Sequence, residues 1–88
     1  MDKSIHTENY QLVISLLKKA RLEAGFTQTD LAEKLGETQT FVSKCERGER
    51  RLDIIELREF CLAMNLKLTD FVNRLNNRIE VGGSKSKV

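Results

Sequence analysis

Gln28-Thr-Asp-Leu-Ala-Glu-Lys-Leu-Gly-Glu-Thr-Gln-Thr-Phe-Val-Ser-Lys-Cys-Glu-Arg47 is the stretch that decides how this chain folds. It reads as two short helices joined by a tight turn. Thr27, just before it, is a helix cap: its hydroxyl can accept a bond from a backbone N–H that the first turn leaves orphaned. Asp30, three residues on, completes a variant capping box. Leu31, Ala32 and Leu35 then fall on one face at helical spacing. Gly36 is the stop, because it takes the left-handed conformation that a sharp turn needs. Thr38 caps the second helix, and Val42 and Cys45 form its inward face. Two helices crossing steeply at a short turn leave room for little more than a methyl, which is what Ala32 offers. The pattern is that of a helix-turn-helix.

Gln39, Thr40, Ser43 and Lys44 fall on the outward face of the second helix, away from Val42 and Cys45. A glutamine amide donates and accepts at once, which matches the adenine edge in a DNA major groove. Lysine only donates, which suits guanine acceptors or a phosphate, and a threonine methyl can meet a thymine methyl. On an arbitrary helix these would be ordinary polar residues on a solvated face. The turn that precedes them favours groove reading, so double-stranded DNA is the expected partner.

Composition permits this reading without demanding it. The chain has 88 residues, 40% of them hydrophobic, with no Pro and no Trp. That is one small domain with a modest core. Net charge is only +2, from 15 basic and 13 acidic residues, so distribution has to carry the argument. Lys44, Arg47, Arg50 and Arg51 gather at the end of the motif, diluted by Glu46 and Glu49. Asp53, Glu56 and Glu59 follow on the next helix, expected to face away from DNA. Cys45 and Cys61 fall on inward helix faces with no metal-ligand spacing around them, and read as buried free thiols. The single histidine, His6, lies in a polar N-terminal stretch. No nucleophile–base pair and no ligand set share a motif, so the expectation is no catalytic residue, no metal site, no cofactor and no enzyme. No signal peptide or membrane-spanning run is present, which implies a cytoplasmic protein with no membrane partner.

Along the chain, residues 1–8 read as a flexible arm, 9–79 as the DNA-binding domain and 80–88 as a disordered tail rich in Gly, Ser and Lys. A first helix is expected from about Glu8 to Glu23, closing at Gly25, with Ile14, Leu17 and Arg21 on one face and Val13 and Ala24 beside it. A fourth begins after Asp53 and turns Leu57, Phe60, Cys61 and Met64 inward, with Asn65 closing it. A fifth begins near Thr69. Its Phe71 and Val72 are expected in the core, and Leu75 and Ile79 extend the apolar stripe beyond what a compact five-helix domain needs. Those two are the candidate dimer interface. Phe41, beside Val42, is expected to pack against the first motif helix rather than touch a thymine methyl or sugar.

The sequence resembles the Cro-type, phage-repressor (XRE) family of helix-turn-helix regulators, which includes the small controller proteins of restriction-modification systems. The matching residues run from Ala20-Arg21 through Ala24-Gly25-Phe26-Thr27-Gln28, Leu31-Ala32 and Leu35-Gly36. They continue with Thr38-Gln39-Thr40-Phe41-Val42-Ser43-Lys44, Glu46-Arg47-Gly48 and Arg50-Arg51-Leu52-Asp53. The likeness extends more loosely to about Leu75. Cys45 departs from the aliphatic or aromatic residue usual there, and nothing after Ile79 matches.

The resemblance implies an all-α, five-helix, lambda-repressor-like DNA-binding domain. It implies that Gln28 touches phosphate and braces Gln39. It implies that Arg21 and Glu46 form a structural ion pair, and that Arg47, Arg50 and Arg51 touch the DNA backbone. The expected division of labour is then base contact by Gln39, Thr40 and Lys44 and phosphate contact by Thr27, Gln28, Ser43, Arg47, Arg50 and Arg51. Helix N-termini at Thr27 and Thr38 add backbone donors. The whole reads as a homodimeric regulator on a near-palindromic operator, with RNA polymerase as a further partner. The rival reading is an antitoxin-type module that uses the same fold to grip a cognate toxin.

Overall fold

Thr27, Thr38 and Asp53 each open a helix by the same device. Thr27 Oγ1 accepts from the Asp30 N–H at 3.0 Å, Thr38 Oγ1 from the Phe41 N–H at 3.1 Å, and Asp53 Oδ1 from the Glu56 N–H at 2.7 Å. Two are full capping boxes: Asp30 accepts from the Thr27 N–H and Glu56 from the Asp53 N–H, both at 2.9 Å. A cap of this kind contributes about 1 kcal/mol. These caps set the frame of a computed structural model that describes residues 8–83 and, among them, holds five helices and no strand: α1 (Glu8–Glu23), α2 (Gln28–Leu35), α3 (Gln39–Glu46), α4 (Ile54–Ala63) and α5 (Leu68–Gly83).

Helix ends are as uniform as the starts. At Gly36, with φ 71°, the chain turns left-handed and the Glu37 N–H reaches back to the Ala32 carbonyl at 2.9 Å. This closure satisfies carbonyls that a helix end otherwise leaves bare. It recurs after α1 (Phe26 N–H to Arg21 C=O, 3.1 Å), α3 (Glu49 to Lys44, 2.9 Å) and α4 (Leu66 to Cys61, 2.8 Å). In α4 the left-handed position is held by Asn65, at φ 59°.

Helix α1 packs against α3 and α5, α2 against α3 and α4, and α4 against α5. The core they enclose comprises Leu16, Leu17, Ala20, Leu31, Ala32, Val42, Cys45, Leu57, Phe60, Cys61, Met64 and Phe71. Phe71, Val42 and Cys61 are wholly inaccessible. Burying each large apolar side chain stabilises by about 1.5–3 kcal/mol. Ala32, 2% exposed, belongs to this core, where close packing leaves no room for a larger side chain without displacing its neighbours.

Three sequence expectations need correcting. Glu8, at the boundary between the expected arm and the expected first helix, opens α1, and the tail expected over 80–88 loses residues 80–83, which continue α5. A helix already nucleated adds residues cheaply, and the Asn76 amide donates to Glu80 one turn on at 3.2 Å. Residues 1–7 with His6, and 84–88 with Lys85 and Lys87, lie outside the described residues. Val72 is 40% exposed whereas its neighbour Phe71 is fully buried: successive helical residues point about 100° apart, so the core takes one of the two. Ala24 is exposed beyond the end of α1, and Ala20, one turn earlier, fills the core position. No helix among the described residues is long and apolar enough to cross a membrane.

Candidate nucleic-acid interface

Helix α3 turns two residues fully inward, Val42 at 0% and Cys45 at 1% exposure. Gln39, Thr40 and Lys44 consequently stand exposed on the opposite side. Ser43 belongs to that side by spacing but is half-buried, because the Arg47 Nη1 group donates to its hydroxyl and the side chain lies over it. Thr27 and Thr38 use their hydroxyls as acceptors in the caps, which leaves each O–H proton free to donate.

A chain of side-chain hydrogen bonds runs from the interior to this face. The Arg21 guanidinium, in α1, donates Nη1–H to the Phe26 carbonyl in the α1–α2 turn at 2.7 Å. Its Nε and Nη2 groups donate to the two oxygens of Glu46 at 2.6 and 3.1 Å. Both side chains are almost inaccessible, at 7% and 4%. Glu46 Oε1 accepts a further bond, from Gln28 Nε2 at 3.0 Å. Gln28 Oε1 accepts in turn from Gln39 Nε2 at 2.6 Å. Three helices are thus joined through one buried carboxylate.

Beyond α3 the loop is pinned by aromatic rings and carboxylates. Arg47 donates through Nε and Nη2 to Glu49, at 3.0 and 3.1 Å. Arg50 donates to Glu56 Oε2 at 2.6 Å and to the Arg51 carbonyl at 2.6 Å, and its Cζ lies 5.1 Å from the Phe41 ring centroid. Arg51 lies over the Tyr10 ring at 4.5 Å, while the Tyr10 hydroxyl accepts from the Leu52 N–H at 3.3 Å. Phe41 packs on Phe60 of α4, centroids 6.2 Å apart. The Arg50 guanidinium makes a cation–π contact with the same ring. Glu56 does not face away from the basic cluster: it is the partner of Arg50.

Local charges follow these contacts. The Arg50 guanidinium holds the Glu56 carboxyl below its usual range, helped by the Asp53 backbone N–H. Arg47 does the same for Glu49, and the backbone and hydroxyl of Thr27 for Asp30. The same pairings raise the affinity of Arg47 and Arg50 for their protons. Burial pushes the Cys45 and Cys61 thiols up to about 11, and both are free cysteines. Among the described residues no cluster of His, Cys, Asp and Glu could hold a metal ion.

Tyr10 and Glu56 shape this surface although the sequence gives neither a part in it. Tyr10 lies 42 residues from the backbone it binds, and no spacing rule connects them. Glu56 had a local signal, its place in the Asp53 capping box. The proposed dimer residues lie elsewhere: Leu75 is half-buried and packs against the core, and Ile79, one turn on, is half-buried.

Residues 17–71 match the helix-turn-helix family HTH_3. Among solved structures, the chain is similar to an XRE-family like protein from Pseudomonas syringae pv. tomato str. DC3000, at 44% identity over 85% of this chain and 92% of that one, with a TM-score of 0.78. It is also similar to the wild-type restriction-modification controller protein C.Esp1396I, at 32% identity over 84% of this chain and 97% of that one, TM-score 0.77. The C.Esp1396I tetramer in complex with its natural 35 base-pair operator aligns at 32% identity over the same shares, 84% and 97%, TM-score 0.76. No curated protein sequence matches the chain.

Proposed function

The chain belongs to the HTH_3 helix-turn-helix family, and on that premise we propose that it is a sequence-specific DNA-binding transcriptional regulator working in the cytoplasm. One observation carries the reading: the outer side of α3 presents Gln39, Thr40 and Lys44 to solvent around a fully buried inner side. That is the arrangement a recognition helix needs in a major groove. The likeness to a controller protein that binds an operator supports it.

In this reading Gln39, Thr40 and Lys44 meet base edges. Thr27, Gln28, Ser43, Arg47, Arg50 and Arg51 meet phosphates and fix the register. One eight-residue helix covers little DNA, and specific sites are gripped over a much larger surface. A homodimer through the C-terminal half of α5, with Ile79 and the accessible part of Leu75, would set two recognition helices roughly 34 Å apart on a near-palindromic operator.

Selection of bound sites from randomised duplex DNA tests binding, symmetry and spacing together. Gln39→Ala should then weaken the selected site by about 1–3 kcal/mol and relax preference at one base pair. Arg50→Ala should weaken all sequences alike and flatten the salt dependence. No enriched site, or equal losses by Gln39→Ala on selected and random DNA, rejects base reading by this face.

A further inference from the structure

We propose that Glu46 is a positioning residue for specificity: it dictates which way the Gln39 amide faces, and so which hydrogen-bond pattern Gln39 offers to a base. The inference rests on the reading of α3 given above. The two ends of a glutamine amide are nearly equal in size, so packing alone prefers neither orientation. A carboxylate is different, because when ionised it only accepts. Arg21 donates to both oxygens of Glu46, at 2.6 and 3.1 Å.

The third contact on Glu46 is Gln28, at 3.0 Å. Facing a pure acceptor, Gln28 must present its NH2 group, and its carbonyl is thereby turned outward. Gln39 meets that carbonyl at 2.6 Å and must in turn present its own NH2. Two amides in series are each oriented by one buried charge. What remains to Gln39 is one N–H on the Gln28 side and a carbonyl on the far side. A donor and an acceptor in that order match the adenine N7 and N6 edge in one direction only. Turning the Gln39 amide over would set two carbonyl oxygens against each other at the contact with Gln28.

Arg21→Leu with Glu46→Leu removes the rule: no pure acceptor faces Gln28, no guanidinium is left buried and unpaired, and neither end of the Gln28 amide is preferred, so Gln39 loses its fixed order. Gln28→Met cuts the relay while leaving the Arg21–Glu46 pair intact, and serves in place of the double variant if that does not fold.

Two readouts separate this idea from the DNA-binding reading. In the free protein, NMR of the Gln39 side-chain amide should show one Nε2 proton shifted downfield by its bond to Gln28; the shift should shrink in the double variant, where both amide orientations are populated, and vanish in Gln28→Met. On DNA, discrimination at the base pair that Gln39→Ala relaxes should fall about tenfold in either variant, with preferences elsewhere unchanged. Folded variants that retain the Gln39 amide shift, or that retain wild-type discrimination at that base pair, overturn the proposal. A wild-type protein that selects no DNA site overturns the reading of α3 instead, and the amide shift still decides whether Glu46 orients Gln39.

Discussion

A β-carbon placed on Gly48 would lie 2.8 Å from Cδ1 of Ile14. The loop leaving α3 therefore passes so close to α1 that a Cβ would push the Ile14 side chain aside, and it does so at φ 79°. Gly48→Ala should cost about 1–2 kcal/mol from the left-handed backbone alone, with a further loss from the contact. Urea denaturation of Gly48→Ala, Ile14→Val and the double variant checks the cause. The double variant should be more stable than the sum of the single losses predicts, since Ile14→Val removes the atom that is struck. Additive losses would leave the close approach without energetic meaning.

Arg21 and Glu46 form an ion pair cut off from solvent. Arg21→Leu leaves a buried carboxylate with its two guanidinium bonds gone, and should lower stability by about 3–5 kcal/mol. Arg21→Leu with Glu46→Leu should recover much of that loss, because neither side chain then has a charge to solvate. Chemical denaturation of both variants measures the difference.

Asp30, Glu49 and Glu56 are all held below the usual carboxylate range in the folded chain. A carboxyl that loses its proton more readily when folded stabilises the fold above its unfolded value, near pH 4. That stabilisation is lost as pH falls through the lower folded value. The urea midpoint should be flat from neutrality down to about pH 5 and fall below it. Asp30→Asn should show a shallower fall, since one of the three groups no longer titrates.

Cys45 and Cys61 are buried, with thiols pushed up to about 11. At neutral pH almost none of either is thiolate, the form that reacts. A disulfide-exchange reagent should leave the native protein unlabelled on the timescale that modifies a free thiol. Labelling should rise with urea along the same curve as helix loss. Prompt labelling of the native chain would contradict the burial.

What could be read from the residues was mainly local. The caps at Thr27, Thr38 and Asp53 and the stop at Gly36 are decided by neighbours within four positions, so spacing exposes them. Which of two adjacent apolar residues faces the core is settled by where another helix lies, and Val72 went astray for that reason. Phe41 was expected to pack, but its partner Phe60 belongs to a helix whose placement no periodicity specifies. The Arg21–Glu46 pair spans 25 positions and was accessible only through family resemblance. The order of hydrogen bonds from Glu46 to Gln39 was not accessible at all, since it depends on three helices meeting. The loop arginines could be listed by type, but not the carboxylates they hold.

Those carboxylates change how this surface meets a polyanion. Arg47 and Arg50 are already matched with Glu49 and Glu56, so in the proposed reading a phosphate would not add to a bare positive patch but would compete with an existing anion. A wrong duplex would give little return for that exchange, whereas a correctly docked one would align several at once. The internal pairs would then weaken indiscriminate sticking, in keeping with a net charge of only +2.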